Sequence, residues 1–331
     1  MTAAGQEPAG KGQSEAGKSL VFRLLSDYCR ENGLRLSAAD PHGHAGSVDH
    51  PDGKRWLFKG TRFDINPQGA AEIAADKAYA LSFLKAAGLP VPETLFVESK
   101  SLRNRQRPPS HILDFADAHE FPIFVKPNEG KEGVGVLKTD TFHGLESALH
   151  ILAAGHDALI VQEALQGREI RVVVLDGEVL CAYERQPASV TGDGERSCAE
   201  LIDAHPKVNA ADGRIDFTLS QQALTLEAVP EAGRIVQLLP VANLSSGGSA
   251  EIIDGNLAPG LAVAARKAAQ TLGLRYAGID LIVPHGSEIH PAIILEVNAA
   301  PGFAKLHKQG PGAAELVDAV YKRLFSALFA S

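Results

Sequence analysis

The feature that most limits how this chain can fold is Asp176-Gly177, set between the apolar runs 169–175 and 178–183. An Asp-Gly pair supplies the positive φ angles of a two-residue hairpin turn, so these runs are expected to pair as antiparallel strands. Further short apolar runs read as strands at residues 56–59, 94–97, 123–126, 158–164, 235–239, 277–283 and 292–297. Helical spacing of apolar residues predicts helices over 19–32, 70–87, 111–118, 144–154, 257–272 and 313–329. Gly88 ends the second of these, and Pro90 and Pro92 keep it ended. A Gly, His and Asp loop precedes the strand at 56–59, and a long polar stretch covers 187–216. Strands joined by short turns, with helices on one side, indicate an α+β architecture and not a doubly wound parallel sheet.

With 331 residues, 45% of them hydrophobic, the chain can bury a large core in two or three modest lobes. A net charge of -8 without any basic run argues against a nucleic-acid partner. Apolar runs fall short of the roughly 18 to 20 residues of a membrane span, so no membrane partner is expected. Cys29, Cys181 and Cys198 are too scattered for a disulfide framework and read as reduced residues of a cytoplasmic protein. Residues 1–18 have no apolar stretch and read as a mobile tail, not a signal peptide. Residues 12–19 match the Walker A pattern letter for letter, but no strand precedes them to deliver the glycines to a phosphate. The match reads as chance. His42, His44 and His50 lack a cysteine or carboxylate framework and read as solvated loop residues.

Three constellations carry chemistry. The apolar strand at 121–125 ends in Lys126-Pro127 and passes at once into a turn with Gly130, Gly133 and Gly135. Glycines let the backbone bend back and present N–H groups at close range, and a lysine beside them suits a polyphosphate. A surface lysine is the plainer alternative. Near the C-terminus Glu296 is embedded in an apolar strand, where an unpaired charge is costly, so it should have a cationic partner. Alternation places Glu296 and Asn298 on one face, and Asp280 lies in the preceding strand. Such an all-oxygen set suits magnesium; a salt-bridged core carboxylate is the alternative. The third constellation runs from the strand around Gln162 and Glu163 through the turn at Gly167 to Glu169 and Arg171. Its turn could read an adenine edge, and its charged pair could meet ribose and phosphate; an exposed ion pair would explain that pair equally well.

With these constellations in this order, the chain resembles the ATP-grasp superfamily from about residue 70 to residue 325. It looks most like the ATP-grasp modules of cyanophycin synthetase and the bifunctional glutathione synthetases. D-alanyl-D-alanine ligase and the ribosomal-protein glutamate ligases are more distantly similar. Matching segments are 75–77 with 87–92, the Lys126 strand with its glycine turn, 167–172, 184–194, 242–248, 277–280 and 296–302. The resemblance implies two α+β lobes holding ATP between antiparallel sheets, and a ligase that activates a carboxylate as an acyl phosphate and joins it to an amine. It implies residues 1–18 as a disordered tail, 19–92 as a shortened N-terminal region, 93–165 as the small lobe, and 166–331 as the large lobe with the magnesium site. It further implies that Lys77 and Lys126 contact phosphates and that Glu129, Gly130, Gly133 and Gly135 belong to the closing loop. Gln162, Glu163 and Leu165 would line adenine, and Glu169 would bind ribose. Asp280, Glu296 and Asn298 would hold magnesium, for which manganese can substitute. Arg171, Arg185 and Lys126 would act on the transferring phosphoryl group, and Asn243 with residues 245–248 would face the acceptor. Small carboxylate and amine substrates are the implied partners, and a homodimer is compatible with the family. Two departures stand out: Leu239-Pro240 lies where relatives often carry arginine, and the region before Lys77 is short. A kinase transferring phosphate to a hydroxyl, or a scaffold that has lost catalysis, are the rival readings.

Overall fold

The structure, a computed structural model, describes residues 17–329 apart from 104, 106, 131, 132, 254 and 286–291. Backbone contacts divide the chain into two units, Met1–Asp64 with Tyr321–Ser331, and Ile65–Val320.

The first unit contains α1 (Leu20–Glu31) and an antiparallel sheet of β1 (Arg35–Ala38), β2 (Ala45–Asp49), β3 (Arg55–Lys59) and β4 (Arg62–Phe63), in that order. Ser19 starts α1 because its hydroxyl accepts from the Phe22 amide, and Lys18 lies over the Phe22 ring. The last two residues of the Walker-like match are therefore engaged in capping and packing, while residues 12–16 lie outside the described residues. Tyr28 and Phe63 meet Phe325 edge-on, and Trp56 meets Phe329 in the same way, which gives the unit an aromatic core. The stretch expected to be a loop holds β1 and β2. Both are short and, Val48 apart, exposed or only partly buried, so the brief alternation of Leu36 and Ala38 with Arg35 and Ser37 is too short a period-2 signal to mark a strand; their pairing, with β2 laddered to β3, defines them.

In the second unit α2 (Gln68–Ala75) and α3 (Lys77–Ala86) replace the single helix expected over 70–87. Asp76 breaks it: its backbone is extended (φ -89, ψ 107), and its carboxylate caps α3 by accepting from the Tyr79 amide at 2.9 Å. A small sheet follows from β5 (Thr94–Glu98), α4 (Ser110–His119), β6 (Ile123–Pro127), β7 (Leu137–Thr139), α5 (Phe142–Ala153) and β8 (Ala158–Glu163). Its strands are all antiparallel in the order β5-β8-β6-β7. Val97, Ile123, Val125, Leu159 and Val161 pack with Ile112 of α4 and Leu145 and Leu149 of α5.

The larger part comprises β9 (Arg168–Leu175), β10 (Glu178–Gln186), β11 (Ser189–Thr191), α6 (Cys198–Asp203), α7 (Arg214–Ser220), β12 (Ile235–Gln237), β13 (Ser249–Ile252), α8 (Pro259–Thr271), β14 (Tyr276–Val283), β15 (Ile293–Asn298), α9 (Ala304–His307) and α10 (Pro311–Phe329). Five strands form an antiparallel sheet in the order β13-β10-β9-β14-β15. The hairpin between β9 and β10 turns at Asp176 and Gly177 with φ of 48 and 80, as their side chains predict. Ile170, Val172, Val174, Ile279 and Leu281 bury one face of this sheet against Ala265, Ala268 and Ala269 of α8 and Leu84 of α3. Each fully buried branched side chain stabilises the fold by roughly 1.5–3 kcal/mol, so register is fixed and the alternate residues must face the other way. That opposite face carries the charges.

The polar stretch 187–216 is not featureless. β11, α6, α7 and β12 close around a core of their own, with Cys198, Ile202, Ile215, Leu219, Val236 and Leu238. Ser197 and Glu200 form a capping box at the start of α6, a Ser-x-x-Glu signal legible in the sequence. Among the described residues no helix is long and apolar enough to cross a membrane.

Candidate functional site

The register of the five-stranded sheet assembles one wall of the site. Arg171 on β9 lies opposite Asp280 on β14, and Asp280 lies opposite Glu296 on β15. One step along, Glu169 lies opposite Arg185 on β10. Directly paired residues of neighbouring strands share a face, so these five side chains point away from the apolar core.

Asp280 is 1% exposed and held on two sides. Arg171 donates to both carboxylate oxygens at 2.6 Å, and Arg185 Nη2 lies 2.8 Å from Oδ2. Burial works to raise the Asp280 carboxyl, but the two guanidinium groups outweigh it and hold it below the usual range. Burial likewise works against the Arg171 charge, and Asp280 more than restores it. Arg185 also pairs with Glu169, whose carboxyl burial pushes above its ordinary value despite that partner. Asn298 lies 3.5 Å from Asp280 through Nδ2.

The small sheet supplies the facing wall. Lys126, at the end of β6, is buried, and its Nζ donates to Gln162 Oε1 at 2.7 Å. Gln162 Nε2 in turn donates to Thr94 Oγ1 at 2.7 Å. Burial, reinforced by the charge of Lys77, pushes the Lys126 ammonium down to about 8, against the pull of Glu296, Glu169 and Asp280. The three carboxylates that act on it come from β9, β14 and β15, so both sheets face a common space.

Lys77 enters from a third direction because the break at Asp76 makes it the first residue of α3. Its Nζ donates to the carbonyls of Asn128 and Gly130 at 3.4 and 3.3 Å and lies 4.0 Å from Glu296 Oε1. This is the cationic partner expected for Glu296. Asn128 fixes the helix end further by accepting from the Ala78 amide through Oδ1 at 2.9 Å. The start of α3 is thus tied to the start of the glycine-rich turn. In that turn Gly133 and Gly135 adopt positive φ of 71 and 73, and a Cβ on Gly133 would lie 2.1 Å from Asn243 Nδ2. Glu129 and Gly130 are exposed there, and residues 131 and 132 of the same turn lie outside the described residues.

The Gln162 side chain, expected at the adenine edge, binds Lys126 and Thr94. The Glu163 carboxylate accepts from the Glu93 amide at 2.8 Å and so ties β8 to the chain entering β5, while Leu165 stays half-buried nearby. Thr94 and Asn128 escaped the sequence analysis. Thr94 could have been found only by pairing β5 with β8 in the observed register, where it stands opposite Gln162.

Taken together, four buried or half-buried cations, Lys77, Lys126, Arg171 and Arg185, face three carboxylates, Glu169, Asp280 and Glu296. The Arg185 Nε–H is buried and has no hydrogen-bond partner among the described residues. An excess of buried positive charge with an orphaned donor fits a polyanion such as a triphosphate. The hard oxygens of Glu296 and Asn298 fit magnesium. Asp280 could join them only by exchanging part of its arginine contacts. Among the described residues no cluster of three His, Cys, Asp or Glu side chains is arranged for a metal ion.

Known proteins share parts of this chain's sequence and fold. Residues 83–223 match the family described as D-ala D-ala ligase C-terminus. Cyanophycin synthetase of Nostoc sp. (strain PCC 7120) is 32% identical over 254 residues, covering 70% of this chain and 27% of that protein. The bifunctional glutathione biosynthesis protein of Lactiplantibacillus plantarum is 24% identical over 92% of this chain and 43% of its own length. The chain therefore spans less than half the length of these curated relatives. Among solved structures, a bifunctional glutathione synthetase from Pasteurella multocida superimposes with a TM-score of 0.56 at 20% identity, over 93% of this chain and 44% of that one. D-alanine--D-alanine ligase from Bacillus anthracis gives 0.53 at 18% identity over 80% and 69%, and the same ligase has been solved with ATP. These matches relate the chain to the ATP-grasp ligases, among them cyanophycin synthetase, bifunctional glutathione synthetase and D-alanine--D-alanine ligase.

Proposed function

We propose that the chain uses ATP to activate a substrate carboxylate as an acyl phosphate and then joins it to an amine, with amino acids or small peptides as the substrates. The observation that carries this is the convergence of Lys77, Lys126, Arg171 and Arg185 on one space beside the oxygens of Glu296 and Asn298. In this reading residues 93–165 form the smaller lobe over the nucleotide and residues 166–331 the larger.

The carboxylate attacks the γ-phosphorus, the bond to the β–γ bridging oxygen breaks, and ADP departs. Lys126 and Arg171 neutralise charge on the transferring group, while Lys77 holds the phosphates and the turn at Gly130 together. Glu296, Asn298 and Asp280 would hold magnesium, which when bound supplies further neutralisation of phosphate oxygens. A neutral amine then attacks the acyl carbon, phosphate leaves with the bonding pair, and the surplus amine proton passes to the departing phosphate. Closure of the glycine-rich turn keeps water from the acyl phosphate. No side chain needs to act as a covalent nucleophile.

Assaying ATP turnover against a panel of amino acids and small peptides, with mass spectrometry of products, tests the proposal. Phosphate and a condensed product should appear only when both acid and amine are present. A phosphorylated hydroxyl product would instead establish a kinase.

Glu296→Gln keeps the side-chain shape and removes one charge. Turnover should fall by about a hundredfold or more, and the remainder should require more magnesium. Melting temperature should hold within a few degrees, because Lys77 keeps its two carbonyl acceptors. A less stable variant with an unchanged magnesium titration would leave Glu296 as a structural ion-pair partner alone. Deleting residues 1–18 should leave nucleotide affinity unchanged, since Lys18 is engaged with the Phe22 ring and no strand feeds the Walker-like match. Loss of ATP binding in the truncated protein would refute this placement of the nucleotide.

A further inference from the structure

The segment between β11 and β13 reaches back to the small sheet at three points, two of them on Gly133 of the glycine-rich turn. Arg214, the first residue of α7, donates from Nη1 to the Gly133 carbonyl at 3.2 Å. Asn243 Nδ2 occupies the space where a Cβ on Gly133 would stand. Gln221 Nε2 donates to Asp140 Oδ2 at 2.8 Å, just past β7. Arg214 is itself preset: Nε and Nη2 bind the Asp212 carboxylate at 2.9 and 2.6 Å, which leaves Nη1 for the turn.

We infer that Arg214 is a positioning residue that latches the glycine-rich turn, through the Gly133 carbonyl, against the acceptor-side segment around Asn243. The inference rests on the ATP-ligase reading above. A guanidinium pinned by its own carboxylate is a fixed donor, so it holds the turn without ordering a free side chain. Holding the Gly133 carbonyl on the acceptor side slows both nucleotide escape and water entry beside it. The requirement for glycine at 133 follows from the same contact, because any side chain would displace Asn243.

The test measures dissociation of a fluorescent, non-hydrolysable ATP analogue with magnesium from the full chain by stopped flow. Arg214→Met removes the donor, and Arg214→Lys retains charge without the fork. Loss of one hydrogen bond from a charged donor should speed dissociation about tenfold in the Met variant, with the Lys variant intermediate. Melting temperatures should match the parent; if the Met variant melts early, the Lys variant carries the comparison. Parent and variants releasing the analogue at the same rate would overturn the latch while leaving the ATP reading intact. A parent chain that binds no analogue would overturn both.

Discussion

Lys126→Met is expected to reduce ATP turnover by roughly 10²–10³-fold with the fold intact. The methionine preserves the apolar stem of the lysine and removes the ammonium that Gln162 now positions. The stranded Gln162 carbonyl costs about 1–3 kcal/mol, but a buried charge disappears at the same site, so the two effects oppose. Turnover measured beside a thermal melt separates chemistry from folding, and a variant with parental turnover would remove Lys126 from the mechanism. The parent should also show a pH signature. Burial lowers the Lys126 ammonium from its ordinary 10.5 to about 8, so nucleotide affinity should decline as pH rises through about 8. Stability moves the other way. Between about 8 and 10.5 the unfolded chain holds the proton more tightly than the native one, so this group's contribution to stability rises with pH across that window. Lys126→Met should lose both trends.

Asp280→Asn should be the most destabilising single change at the site, by about 3–5 kcal/mol in denaturant unfolding. The carboxylate is 1% exposed and binds Arg171 through two hydrogen bonds, with Arg185 beside it. An amide offers one acceptor and no charge, which leaves Arg171 buried without its counter-ion and Arg185 with Glu169 alone. Glu296, on the next strand, is partly exposed and 4.0 Å from its lysine, so the matching change there should cost far less. Equal losses for the two variants would contradict the burial difference on which this rests. Activity should vanish in Asp280→Asn as well, since Arg171 and Arg185 would no longer be held where the transferring group passes.

By itself the sequence determined whatever depends on short-range chemistry. Asp176-Gly177 set a hairpin because positive φ is cheap at both residues, and antiparallel pairing followed. Period-2 alternation placed Glu169 with Arg171 and Glu296 with Asn298 on common faces. Lys126 at a strand end before a glycine-rich turn was equally plain. Tertiary structure decided what depends on distant partners. No local pattern joins Arg171 to Asp280, 109 residues away; the strand order β10-β9-β14-β15 does, and it turns a candidate metal ligand into the centre of an arginine cluster. The contact of Gln162 with Lys126 and Thr94 exists only because β8 pairs with both β5 and β6. Helical periodicity ran through Asp76 unbroken, yet the cap it forms and the tie from Ala78 to Asn128 split the helix and aim Lys77 at the site. The strands β1 and β2 left little trace because each is only four or five residues long, too short for alternation to stand out, and only pairing with a neighbouring strand defines them.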